Sequence, residues 1–154
     1  MRFLHYPKSK EPGIIAGAHS DYGTMTLLFL AEDDPGGLEI LHQGKFQQVQ
    51  VEEPGVIIVN IGDLLEYWTG DYLKSTVHRV VSRERERYSM AYFCHAQDDA
   101  FLERIELDEQ VFKPCPRMTG ENNLYEDRSI AKLPNGSLPR TAGEHLGLRL
   151  RFTR

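Results

Sequence analysis

Through most of the chain, short apolar runs are cut by Gly, Pro or Asp before they reach helical length. That punctuation predicts strands. Residues 2–6 form an apolar-aromatic strand stopped by Pro7, and residues 8–13 are a polar loop. Residues 14–18 lead into His19-Ser20-Asp21, and Gly23 breaks the chain. Residues 24–30 have the β-rich character of a buried strand, and Asp33-Asp34-Pro35-Gly36-Gly37 is a turn. Residues 38–41 and 45–51 follow as strands across Gln43-Gly44, with Phe46 and Val49 as the apolar positions of the second. After Glu53-Pro54-Gly55, residues 56–61 are the most hydrophobic stretch, which predicts a strand buried on both faces.

Residues 64–69 read as a short helix with Asp63 as its N-cap and Gly70 past its end. Residues 75–82 and 88–95 return to strand character. Residues 114–139 carry four prolines and many polar positions, which predicts loop. Thr141 and Glu144 have the spacing of a capping box for a terminal helix to about Arg151, although Gly143 and Gly147 weaken it. Many short strands and few helices give an all-β sandwich or barrel. The expected division is a core over residues 1–113 and a loop-rich extension over 114–154 that ends in a helix.

Composition changes this picture little and narrows the partners. A chain of 154 residues fits one domain, and its net charge of −5 argues against a nucleic-acid partner. No apolar run reaches the length of a membrane span, and the first residues lack the pattern of a signal peptide. Cys94 and Cys115 make no disulfide framework, so both are expected as reduced thiols of a cytoplasmic protein.

The chemistry sits in two constellations. In an extended segment residues i and i+2 share a face, so His19 and Asp21 can aim at one point. A second imidazole, from His78, would complete two histidines and a carboxylate, the set that binds Fe(II) on one face and leaves the other open. The same alternation puts Arg87 and Ser89 together. A guanidinium fork binds a carboxylate and a hydroxyl adds a third bond. If the strands bearing His78 and Arg87 are neighbours, a dicarboxylate could span metal and arginine. Arg83 and Arg85 read as a solvated hairpin, Arg79 as structural, and Tyr67 and Trp68 as packing residues of the short helix. His5, His42, His95 and His145 read as ordinary polar residues.

Taken together, His19-x-Asp21, His78 and Arg87-x-Ser89 resemble the Fe(II)/2-oxoglutarate-dependent dioxygenases, in their isopenicillin N synthase-like branch. Leu4-His5-Tyr6-Pro7, Gly36-Gly37-Leu38-Glu39 and Asn60-Ile61-Gly62-Asp63 agree with it, over residues 2–95 or so. The resemblance implies a double-stranded β-helix, or jelly roll, with His19, Asp21 and His78 as iron ligands. It implies Arg87 and Ser89 on the far carboxylate of 2-oxoglutarate, and Tyr6 beside the cosubstrate. O2 would be consumed, succinate and CO2 released, and a small organic substrate hydroxylated. The alternatives are a 2-oxoglutarate-independent iron oxidase, or a truncated, non-catalytic core fragment that keeps the metal site. Members of the branch usually carry a region ahead of the H-Y-P strand that covers one sheet. Its absence from this sequence predicts marginal stability and self-association through uncovered sheet surface.

Overall fold

The computed structural model of the chain describes residues 1–11, 13–51, 53–106 and 133–151. They group into two compact units. The first is a pair of four-stranded sheets. One has the order β1 (Arg2–Tyr6), β8 (Arg87–Cys94), β3 (Met25–Leu30), β6 (Ile57–Ile61). The other runs β2 (Ile14–His19), β7 (His78–Val81), β4 (Leu38–His42), β5 (Lys45–Gln48). Successive strands mostly change sheet, the winding of a jelly roll, as expected. The pairs β1–β8, β2–β7, β4–β7 and β4–β5 are antiparallel.

Alternation explains the faces of the first sheet. Arg87, Ser89 and Ala91 are buried on one side of β8, while Tyr88 and Tyr92 are half exposed on the other. Phe3, on the outer side of the paired strand β1, is 77% exposed. The apolar run at residues 56–61 departs from its expectation. It forms β6, but at the end of the sheet order, with Val56, Ile57 and Val59 between 42 and 55% exposed. A continuous apolar run suits a strand covered on two faces, and no described residue covers the second.

The second unit collects the turn after β2, the helices α1 (Asp63–Trp68) and α2 (Ala142–Arg151), and the segment following β8. Leu64, Leu102 and Ala142 form its core, with Tyr67, Trp68, Ala96 and Ala100 packed against them. Tyr67 and Trp68 are therefore packing residues, as expected. Asp63 is not the N-cap. Gly62 occupies that position without a side-chain cap, and Asp63 opens the helix itself. Its carboxylate, 1% exposed with its residue, accepts from Ser75 Oγ at 2.7 Å and pairs with Arg149 Nη2 at 2.9 Å. This long-range pair takes the carboxylate away from the local capping role. Removing one partner of such a buried pair costs about 3–5 kcal/mol.

The terminal helix starts as the capping-box spacing predicts. Thr141 Oγ1 accepts from the Glu144 N–H at 3.3 Å, while Glu144 Oε2 reaches one residue further back, to the Arg140 N–H at 2.8 Å. The expected loop at 114–139 lies outside the described residues as far as 132. Among the described residues, no helix is long and apolar enough to cross a membrane.

Candidate metal centre

His19 ends β2 and His78 opens β7, and the two are directly opposed across that strand pair. Their rings lie 4.3 Å apart between centroids, tilted by 55°. Each ring is tied at Nδ1 to the carbonyl two residues upstream, His19 to Gly17 at 2.8 Å and His78 to Thr76 at 3.0 Å. A carbonyl oxygen only accepts, so in the neutral rings Nδ1 carries the proton and Nε2 carries the lone pair. That backbone bond is the usual outer support of a metal-binding histidine.

Asp21 lies just beyond the strand, so the period-two argument reaches only as far as His19. What aims Asp21 is the start of α1. The Asp21 carbonyl accepts from the Asp63 N–H at 2.8 Å, and the Gly23 carbonyl from the Leu64 N–H at 3.1 Å. Thr24 accepts from the Gly62 N–H at 2.9 Å and donates its own N–H to the Cys94 carbonyl. The approach is so close that a side chain on Gly62 would collide with the Gly23 carbonyl, and one on Gly23 with that of Cys94. The result is that one donor atom each from His19, Asp21 and His78 lies within 4.8 Å of the others. Two neutral imidazoles and a carboxylate suit a divalent iron and leave coordination positions open.

Arg87 and Ser89 share the buried face of β8, 3% and 7% exposed. Tyr6 is the cross-strand partner of Arg87, and its ring lies 5.1 Å from the guanidinium. The strands carrying His78 and Arg87 are not sheet neighbours: β7 and β8 belong to different sheets. Arg87 Nε lies 3.0 Å from Asp34 Oδ2, yet neither atom completes an aligned hydrogen bond, and Ser89 Oγ is buried with no partner. Buried polar atoms left in this state ask for a ligand, and a guanidinium beside a hydroxyl fits a carboxylate such as that of 2-oxoglutarate.

The residues set aside by the sequence behave as expected where they are described. Arg79 pairs with Glu39 at 2.7 Å and covers the Phe46 ring. Arg83 donates to Gln48, and the exposed Arg85 pairs with Asp33. His145 is the exception among the polar histidines. It is 1% exposed, and burial together with nearby Arg149 lowers its pKa to about 4, against a smaller opposing effect of the Tyr22 backbone. Among the pairs that sequence reasoning did not single out are Asp34–Arg87 and Asp63–Arg149. Only the Asp-x-Gly spacing of the turn hinted that Asp34 is fixed.

Comparison with known proteins shows the family. A family model described as the 2OG-Fe(II) oxygenase superfamily matches residues 1–96. The chain is 38% identical over 154 residues to the 2-oxoglutarate-Fe(II) type oxidoreductase hxnY of Emericella nidulans, covering 93% of this chain and 40% of that protein. It is 44% identical over 107 residues to the 2-oxoglutarate-Fe(II) type oxidoreductase ppzD of Metarhizium majus, 60% of this chain and 30% of that one. Among solved structures, a full-length Neurospora crassa protein in complex with alpha-KG aligns with a TM-score of 0.68 at 32% identity, over 99% of this chain and 44% of that one. The chain thus spans less than half the length of these relatives.

Proposed function

The chain belongs to the 2OG-Fe(II) oxygenase superfamily, and on that premise we propose that it is the core of an iron- and 2-oxoglutarate-dependent oxygenase that hydroxylates a small organic molecule. The observation that carries the reading is the convergence of His19, Asp21 and His78, with both rings fixed to present Nε2. In this reading those three residues hold Fe(II). Arg87 and Ser89 bind the far carboxylate of 2-oxoglutarate, and Tyr6 packs over the guanidinium beside it.

When bound, iron and 2-oxoglutarate supply the oxidising chemistry: one oxygen atom of O2 enters succinate, formed with CO2, and the other enters the substrate. The residues do the rest. Asp21 offsets one of the two metal charges, and each histidine donates its Nδ1–H to a backbone carbonyl, which leaves the Nε2 lone pair for the metal. Arg87, buried on the β8 face, fixes the reach and charge of the acid that fits. A substrate of the size of a nucleobase has precedent in the same Neurospora crassa neighbour, which has also been solved with alpha-KG and thymine.

The same reading takes residues 1–113 as the oxygenase core and 114–154 as its extension, in a reducing, cytoplasmic setting that suits two cysteines outside any disulfide framework. The outer face that carries Phe3, Tyr88 and Tyr92, with the exposed apolar residues of β6, is proposed as the surface through which this length of chain self-associates.

The test is O2 uptake and CO2 release by the purified chain given Fe(II) and 2-oxoglutarate. Slow release of CO2 without added substrate, abolished in Asp21→Ala, is the expected result. O2 uptake that ignores 2-oxoglutarate would move the chain to the oxidases that use another reductant. No uptake under either condition would leave a binding core without catalysis.

A further inference from the structure

Asp34 stands in the turn between β3 and β4, and its carboxylate is fixed from two sides. Oδ1 accepts the Gly36 N–H at 2.7 Å, and Oδ2 lies 3.0 Å from Arg87 Nε. Gly36 and Gly37 take φ values of +82° and +108°, which other residues rarely adopt, and a side chain on Gly37 would collide with the Val81 carbonyl. The turn therefore has little freedom, and Asp34 has little with it. Arg87 is buried and packed under Tyr6.

The contact itself is informative. Both Asp34 Oδ2 and Arg87 Nε are buried, and their N–H and oxygen are not aligned for a hydrogen bond. The pair is thus a charge contact on one edge of the guanidinium. The two Nη atoms carry the other four N–H donors, and among the described residues no other carboxylate pairs with Arg87.

We propose that Asp34 is a resident counter-anion that sets how strongly this chain binds its cosubstrate. It stabilises buried Arg87 while the cosubstrate is away, and its charge weakens the hold on the carboxylate that arrives. The inference rests on the reading of Arg87 given above. A residue changes an equilibrium only through a difference between the two states. Asp34 favours the free state because an arginine buried alone is costly. It disfavours the bound state because two anions then crowd one cation. A merely structural Asp34 predicts the opposite sign: without it Arg87 would lose its orientation and bind more weakly.

The experiment measures 2-oxoglutarate binding by calorimetry, without O2 and with Mn(II) as a redox-inert metal. It uses the full chain and the variants Asp34→Asn, Arg87→Gln and the double variant, with ligand-free melting recorded for each. Relief of like-charge crowding should make Asp34→Asn bind about tenfold more tightly or better, while its ligand-free Tm falls. The gain should vanish in the double variant. Unchanged or weaker binding by Asp34→Asn, with Arg87→Gln still weakened, overturns the role of Asp34 and leaves that of Arg87 standing. Wild-type binding by Arg87→Gln overturns the Arg87 reading instead, and this inference with it. If Asp34→Asn does not fold alone, refolding with Mn(II) and either 2-oxoglutarate or pyruvate decides. Rescue by the dicarboxylate only supports the proposal, and rescue by both or by neither overturns it.

Discussion

The two sheets each bring one end of the candidate site, and they do it by different physics. At the metal end, His19 and His78 meet across a strand pair, and their rings need only neutral nitrogen lone pairs and a backbone carbonyl behind each. Such ligands tolerate solvent, since the metal they await is itself hydrated, and His19 is exposed. At the arginine end the group is a permanent cation only 3% exposed, where an unpaired charge is expensive. That end already has an anion at contact distance, Asp34. The difference teaches that the two imidazoles of the metal end are individually cheap to leave waiting, whereas a buried charge, as at Arg87 and also at Asp21, depends on what surrounds it before a ligand arrives.

The largest expected effect is at the metal end. Asp21→Ala removes the only anionic ligand, and His78→Ala removes one of two nitrogen donors, so each should abolish turnover and sharply weaken Fe(II) or Mn(II) binding. Undiminished metal binding in both variants would end the assignment of the triad. Next comes the arginine end, where Arg87→Gln leaves the ligands intact. Loss of a buried charged partner costs roughly 2–5 kcal/mol, so 2-oxoglutarate should bind about 30-fold more weakly or worse, with metal affinity kept. If both affinities fell together, the two ends would not be separable in the way described.

Acid should separate them as well. Metal binding needs neutral imidazoles and weakens as pH falls, a requirement that the arginine end does not share. The fold adds its own pH dependence through His145, whose pKa falls to about 4. Its stabilising contribution is complete above the ordinary histidine value of about 6.5 and is lost as pH falls toward 4, a few kcal/mol in all. Ligand-free melts of His145→Gln, flatter between those limits than wild type, would check it. Metal titrations are therefore cleanest above that range. The smallest effect belongs to Arg83→Gln, which removes a charge bonded to Gln48 near the surface and should leave 2-oxoglutarate binding within error. A large loss there would mean that the identity of the cosubstrate arginine was misread.

Most of the candidate ligands were legible in the sequence from residue type and short spacing, whereas His78, 57 positions beyond Asp21, rested on the family pattern, and the start of α1 rather than strand period aims Asp21. His19-x-Asp21 and Arg87-x-Ser89 are i, i+2 pairs, and punctuation by Gly and Pro marked most strands within a residue or two. Strand period carries no information on what lies opposite a face. That is why residues 56–61, read as buried on both sides, became a strand with half-exposed valines and isoleucine. Only the tertiary structure paired Asp63 with Arg149 and Asp34 with Arg87, partners 86 and 53 positions apart. A local motif can say that an aspartate caps a helix or opens a turn. Which distant cation claims its carboxylate is decided by the fold that brings them together, because the energy of a buried charge depends on what surrounds it and not on its neighbours in the chain.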